Sequence, residues 1–518
     1  MKKNLTVIVL TGIMVLLVAL SACHQKEQSV HEDYYRLKEQ VVRVSSELDG
    51  LDVPWGMQYD DGNIWYDLQK GEIWKLELKT GKAKRMVQVP DVFRLRTMGA
   101  LGIAVDHETD SIHVYLIYNR RTGTSGLDTS TLSSRLVRYT YDAKKDTLLQ
   151  PKTILQWPAN TSHNGARILV GKNNDLYLTT GDIEGDGMAQ STRTLNGKVL
   201  HLMKDGSIPP DNPFSNSYIW SYGHRNQQGI CFGPNGLLYA SEHGDAIEDE
   251  VNLIEPKHNY GWPVVEGKLD LPSEIHKVDS MKITVTDPLI SWTPTIAPAS
   301  IVYYGNGAIT DFRNSLLLVT LKGSALYVLH LDATGRKITG QDVYFKNFYG
   351  RLRSITVDDE GQVYLGTSNR DWNPASGYPK PGDDHILKIA VADSNRIDQS
   401  LIRSALLQTK AMANNGQELF MNYCSSCHKP GGEGLPGSFP PLKNNPTLRE
   451  NEKLVKTINE GTNGPKTIMG NSYNGNMPAF NFLTNAQMLA LINYLKTHLT
   501  TDNEMSIDDL GKLRNTVK

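Results

Sequence analysis

The chain has 518 residues, with 54 basic against 56 acidic side chains and a net charge of −2, so no global basic footprint points to a nucleic-acid partner. Hydrophobic residues make up 39% and charged residues 21%, with 44 Gly and 24 Pro, a turn-rich globular composition that excludes a disordered, collagen-like or polytopic membrane chain. Four cysteines are too few for a disulfide scaffold of this size, and their positions say more than their number.

The N-terminus sets Lys2 and Lys3 before an apolar run from Leu5 to Leu20. A run of that length reaches about 24 Å as a helix, short for a stable span and usual for the core of a signal peptide. It closes on Leu20-Ser21-Ala22-Cys23, which resembles the lipobox of bacterial lipoproteins. The resemblance implies a signal peptide over 1–22, acyl chains on Cys23 and stable membrane anchoring. An uncleaved transmembrane anchor is the rival reading. Either way the bulk of the protein is expected outside the cytoplasm, facing the periplasm or the cell surface. His24 rather than Asp after Cys23 leans toward the outer membrane of a two-membrane host. Residues 23–40 are polar and read as a tether.

Residues 41–392 show no long helical period. They show short alternating apolar runs separated by Gly, Asn and Asp turns, the pattern of antiparallel strands. One phrase recurs, a turn followed by an apolar strand ending in an aromatic. It appears as Asp61-Gly62-Asn63-Ile64-Trp65, Asn173-Asn174-Asp175-Leu176-Tyr177, Pro234-Asn235-Gly236-Leu237-Leu238-Tyr239 and Glu360-Gly361-Gln362-Val363-Tyr364, with weaker copies ending at Tyr115 and Leu317. Six copies about sixty residues apart fit a six-bladed β-propeller of four-stranded sheets, and a jelly roll or sandwich leaves the repeat unexplained. A propeller gathers loops from every blade around one central pocket.

The polar residues cluster where blades would meet that channel. His163 lies in Thr161-Ser162-His163-Asn164-Gly165 and Asp182 follows the next strand. Then come Tyr222-Gly223-His224-Arg225-Asn226-Gln227-Gln228-Gly229, the run Ser241-Glu242-His243-Gly244-Asp245, Glu250, Asn259-Tyr260-Gly261-Trp262-Pro263, Lys322, Arg351, Arg353 and Thr367. A pocket histidine can take a hydroxyl proton near neutral pH. Converging Lys and Arg imply an anionic ligand of polycarboxylate type, and acidic residues with turn carbonyls suit calcium.

These stretches resemble the soluble quinoprotein sugar dehydrogenases, most specifically in Gly223–Gly229 and Asn259–Pro263. The resemblance implies the cofactor pyrroloquinoline quinone (PQQ), an ortho-quinone with three carboxylates. It implies His163 as general base with Asp182 beside it, Arg225 and Asn226 against the quinone, and Lys322, Arg351, Arg353 and Thr367 on PQQ oxygens. It also implies carbonyls of Gly244 and Asp245 on a PQQ-bound calcium, and Glu250 with the Tyr260 carbonyl on a second calcium. Thr97-Met98-Gly99-Ala100-Leu101-Gly102 and Ser162 depart from the family pattern on the sugar side, which leaves the sugar itself open.

After a polar linker with helical stretches at 393–409 comes Cys424-Ser425-Ser426-Cys427-His428, the attachment signature of c-type haem: two thiols for the vinyl groups and an imidazole for iron. A zinc site would need two further ligands nearby, and no cysteine follows. Asn476-Met477-Pro478 precedes a helix on which Met488, Leu491, Ile492 and Leu495 share a face. Residues 410–502 resemble a class I cytochrome c, a small all-α domain, which implies His428 and Met477 as axial iron ligands, with Met469 the rival to Met477. Such ligation suits electron transfer rather than oxygen binding. Residues 503–518 read as a tail, and Cys231 as a buried inert thiol.

The expectation is therefore an exported, lipid-anchored sugar dehydrogenase using PQQ and calcium. It would pass electrons to its own haem c and then to a respiratory acceptor. A propeller that binds sugar without oxidising it, or a PQQ dehydrogenase of a non-sugar alcohol or aldehyde, are the alternatives. Oligomeric state is open, a dimer included.

Overall fold

The computed structural model describes residues 32–108, 111–123, 129–185, 187–407, 415–462, 464–475 and 477–516. Cys23 and the apolar N-terminal run lie outside them. Among the described residues no helix is long and apolar enough to cross a membrane.

Six sheets form a ring. Five are four-stranded antiparallel meanders, covering 54–88, 100–158, 165–222, 227–292 and 298–344. The sixth joins Leu352–Val357, Val363–Thr367 and Ile386–Val391 to the N-terminal strand Val41–Leu48, which pairs with Ile386–Val391 and closes the ring. The first strand of each blade packs against the first strand of its two neighbours, so these six line the channel. The recurring phrase of the sequence falls on the second strand of every blade: Trp65, Tyr115, Tyr177, Tyr239, Leu317 and Tyr364. Its turn residues earn their place by backbone geometry, since Asp61, Asn174, Asn235, Asn314 and Gly361 all adopt positive φ. The aromatic then buries between blades, Trp65, Tyr115, Tyr239 and Tyr364 each being at most 1% exposed.

Two segments expected as connections carry structure. The tether at 23–40 includes structured chain: Asp33–Arg36 pairs with Val41–Val44, and the amides of Lys38, Glu39 and Gln40 donate to the Asp311 carboxylate. The linker is also largely fixed. Instead of helical stretches it holds two short 3-10 turns, and the strand Ile402–Ser404 pairs in parallel with Tyr34–Arg36. The Leu407 amide donates to the Val343 carbonyl, so the chain is held to the propeller up to that point.

The helices after residue 415 form a second core. Gly416–Leu419 runs through a π-turn at Phe420–Cys424 into Ser425–His428, and crosses the helix Asn485–Leu499. Gly416 is required at the crossing, because a Cβ there would collide with the Ala490 carbonyl. Asn485–Leu499 starts from a capping box between Thr484 and Gln487. The expected tail is a further helix, Ile507–Thr516, whose Leu510 is fully buried beside Asn451–Glu460.

Candidate functional site

The pairing of first and second strands is irregular at its channel end in all six blades, between Pro54/Gly56, Ala100/Gly102, Gly165/Ile168, Gln227/Gly229, Pro298/Ile301 and Leu352/Ser354. A bulge re-aims the residue it skips. Three skipped residues, Trp55, Gln228 and Arg353, line a cavity of about 670 Å³ at the hub.

His163, Asp182, Arg225, Asn226, Asp245, Lys322, Arg351 and Arg353 line this one cavity although nearly two hundred residues separate the first from the last. His163 Nδ1 is 2.9 Å from Asp182 Oδ1, and Trp262 Nε1 donates to Asp182 Oδ2 at 2.7 Å. Gly181 permits this packing, since a Cβ there would strike the His163 carbonyl. Burial by itself would raise the Asp182 carboxyl, but the bond and charge of His163 outweigh it and hold Asp182 below the usual carboxylate range. His163 Nε2 makes no hydrogen bond among the described residues, and its nearest carboxylate oxygen is Glu184 Oε1 at 3.9 Å. The ring therefore presents a free acceptor to the cavity, with its tautomer set by Asp182.

The opposite side is cationic. Arg351 Nη2 and Arg353 Nη2 share the single carboxylate oxygen Asp371 Oδ2, at 2.9 and 3.0 Å, which leaves one positive charge uncompensated. Arg353 also stacks on Trp55, 3.7 Å from the ring centre. Lys322 Nζ donates to the Thr295 hydroxyl at 2.8 Å and has no carboxylate contact among the described residues; burial lowers its pKa despite the pull of Asp249. The hub is thus polarised, with carboxylates around His163 and surplus positive charge on the fifth and sixth blades. That arrangement fits a polycarboxylate.

Arg225 lies over Trp262, 5.0 Å from the ring centre, and binds the Gly244 carbonyl at 2.8 Å and Asp245 Oδ1 at 2.6 Å, while its buried Nε has no partner among the described residues. Those oxygens already hold a cation, which is the chemistry expected of calcium ligands. Glu250 and Tyr260 stand behind the hub lining. Glu250 takes hydrogen bonds from the Gly267 amide and Asn252 Nδ2, and Tyr260 stacks on His224 at 4.6 Å. Burial, then the charge of Glu242, pushes the Glu250 carboxyl up; burial likewise raises Glu242. Two buried carboxylates that resist ionisation suit a cation between them. Among the described residues no three His, Cys, Asp or Glu side chains converge as a metal cluster, so any such ion would draw on carbonyl oxygens as well.

Thr367 stands apart from the other expected PQQ contacts. It is fully buried and absent from the hub lining, because its hydroxyl donates to Asp384 Oδ1 and accepts from the His385 amide. The sequence reading left out Trp55 and Asp371 and gave Glu242 no role of its own. Trp55 was findable, since it holds the same blade position as Gln228 and Arg353. Thr97 and Ser162, the two departures from the family pattern, both line the hub.

A second cavity, of about 560 Å³, lies among the C-terminal helices, lined by Cys424, Cys427, His428, Met477 and apolar side chains. His428 Nδ1 donates to the Pro440 carbonyl at 2.9 Å, which leaves Nε2 as the metal-facing nitrogen. Met477 is pinned by paired backbone bonds with Thr462, whereas Met469, on the same cavity, is half exposed. The donor set and apolar lining fit a covalently held haem. Cys231 is buried, and desolvation pushes its thiol up to about 12.

A family model described as Glucose / Sorbosone dehydrogenase matches residues 51–373, and one described as Cytochrome c matches 413–499. Quinoprotein glucose dehydrogenase B of Acinetobacter calcoaceticus is 28% identical over 391 residues, covering 60% of this chain and 80% of that protein. The PQQ-bound form of aldose sugar dehydrogenase from Streptomyces coelicolor superposes with a TM-score of 0.57 at 32% identity, covering 68% of this chain and 98% of that one. Cytochrome c-552 of Thermus thermophilus is 30% identical over 104 residues, covering 19% of this chain and 70% of that protein. The chain belongs to the glucose/sorbosone dehydrogenase family and carries a cytochrome c domain at its C-terminal end.

Proposed function

We propose that this oxidoreductase is PQQ- and calcium-dependent, oxidises an aldose-type sugar at the hub, and passes the electrons to a haem c in its own cytochrome domain and on to a respiratory acceptor. The observation that carries the reading is the polarised hub: a histidine with one nitrogen fixed by Asp182 and the other free, facing a surplus of cationic side chains.

Lys322, Arg351 and Arg353 would grip the carboxylates of PQQ, with Arg225 and Asn226 beside its quinone. When bound, PQQ supplies a carbon that accepts hydride, and haem c supplies one-electron transfer. His163 Nε2 takes the proton of the sugar hydroxyl. Asp182, accepting from Nδ1, stabilises the imidazolium that results; its depressed pKa keeps it ionised for that task. Arg225 holds a preorganised positive charge on the same wall, an arrangement worth roughly 3 kcal/mol of barrier. Calcium would take the carbonyls of Gly244 and Asp245, the first of which now accepts from Arg225, and a second ion the Glu250 carboxylate with the Tyr260 carbonyl. Thr97 and Ser162 face the substrate side and set which sugar fits.

The signal segment and Cys23 support an exported, lipid-anchored location. The test of function is reconstitution of the apoprotein with PQQ and calcium, followed by dye-coupled oxidation of a panel of aldoses, alcohols and aldehydes. Turnover of aldoses that is lost in His163→Asn supports the reading. No turnover of any member of the panel would leave a binding propeller.

A further inference from the structure

The hub pocket and the haem cavity share a wall. Tyr423, Cys427, Phe439, Gly475, Pro478 and Phe480 line both, so one layer of side chains parts the two chambers. Lys322, on the propeller, lies within electrostatic reach of both Cys427 and Cys424.

The wall is held from the propeller side by a short segment. Asn373 Nδ2 donates to the Ser426 carbonyl, inside the Cys-x-x-Cys-His sequence, at 3.1 Å. Lys429 Nζ, one residue beyond the haem-ligating position, donates to Asn373 Oδ1 at 2.5 Å and to the Pro374 carbonyl at 2.9 Å. The Trp372 ring lies 5.9 Å from that of Phe439. Asp371, which begins the segment, is the carboxylate shared by Arg351 and Arg353, and it also accepts from the Asn373 amide at 3.0 Å. Elsewhere around the mouth, Arg96 Nη2 reaches the Gly437 carbonyl at 3.4 Å, and Ala246 is buried in the core of the cytochrome domain.

The geometry points to segment 371–374 as a docking clamp, which seats the cytochrome domain with its Cys-x-x-Cys-His end on the hub and makes that seated state the one that receives electrons; Lys429 is its principal positioning residue. The inference rests on the proposed PQQ site in the hub. A covalent tether alone gives proximity without orientation, whereas these contacts fix which edge of the domain faces the donor. Because the chain stays bound to the propeller up to Leu407, only residues 408–414 join it to the next described residues, a reach of at most about 29 Å.

The test compares wild type with Lys429→Ala, Lys429→Glu and Lys429→Arg as full-length holoproteins. Three quantities are read: the radius of gyration by solution scattering, the rate of sugar-driven haem reduction, and the dye-coupled rate. The expected result is a compact wild type, and a larger radius with haem reduction slowed about tenfold or more in Lys429→Ala and Lys429→Glu. Dye-coupled rates should hold, and Lys429→Arg should restore compactness. Wild-type haem reduction and radius in Lys429→Glu would overturn the clamp. Should Lys429→Glu not fold, hydrogen exchange in the unaltered protein decides: joint protection of 371–374 and 426–429 supports the seat, and fast exchange in both removes it. If dye-coupled oxidation is absent throughout, the reading of the hub fails, while scattering and exchange still decide the docking.

Discussion

The two cavities of this chain are built in opposite ways. The haem cavity is apolar, and its chemistry comes from five consecutive residues plus one methionine, Cys424 to His428 and Met477. The hub is polar, and its charged side chains are spread over the propeller from His163 to Arg353, with residues of the cytochrome domain closing one wall. A covalent cofactor needs thiols at fixed spacing, so its site is local in sequence. A cofactor held by charge needs only converging cations, and convergence is a property of the fold.

The largest effect that tests this contrast comes from the haem motif. Cys424→Ser with Cys427→Ser should abolish the covalent haem α-band, because both attachment points go, while dye-coupled sugar oxidation by the propeller survives. A parallel loss of dye-coupled activity would mean that the hub depends on the haem domain for its own chemistry. Next is His163→Asn, which keeps an acceptor oxygen or donor near Asp182 but removes the base: kcat should fall about 10²–10⁴-fold with the haem spectrum unchanged. A fall of less than threefold would contradict the assignment.

Calcium offers a smaller effect with a definite sign. Burial raises Glu242 and Glu250, Asp249 to about 6, and Glu266 to about 7 with help from Asp245. A carboxyl whose folded pKa is raised keeps its proton where the unfolded chain has lost it. Stability contributed by these groups is full at low pH and declines as pH rises from the ordinary carboxylate value through the folded one. A cation that replaces those protons should therefore raise Tm more at about pH 8 than at about pH 5. Equal calcium shifts at both pH values would remove the buried acids from the cation site. Smallest is Thr484→Ala, which breaks the capping box and should cost the cytochrome domain about 1 kcal/mol, read by chemical denaturation at the haem band with the propeller transition unmoved.

The propeller was legible because one hairpin repeats: turn residues at positive φ followed by an aromatic on the second strand at Trp65, Tyr177, Tyr239 and Tyr364. The Cys424-Ser425-Ser426-Cys427-His428 motif was legible because its spacing alone carries it, whereas Met477 rests on the resemblance to class I cytochromes c. Less of the hub could be read. His163 and Asp182 lie nineteen residues apart, and their pairing depends on one blade's hairpin. Asp371 is shared by two arginines at the start of the strand Leu352–Val357, and its role exists only once that strand is placed. Thr367 is set apart for a related reason: strand alternation and the Asp384 carboxylate draw its hydroxyl away from the channel. The segments at 33–40 and 393–407 looked like tethers because they are polar, yet edge pairing uses backbone atoms and leaves no trace in side-chain composition.

The most direct measurement is anaerobic mixing of an aldose substrate with the oxidised full-length protein carrying PQQ, calcium and haem, followed at the haem α-band. The account predicts rapid reduction of the haem within the chain, independent of protein concentration and absent without PQQ. Reduction that needs a second molecule, or an α-band that stays oxidised while a dye is reduced, would contradict it.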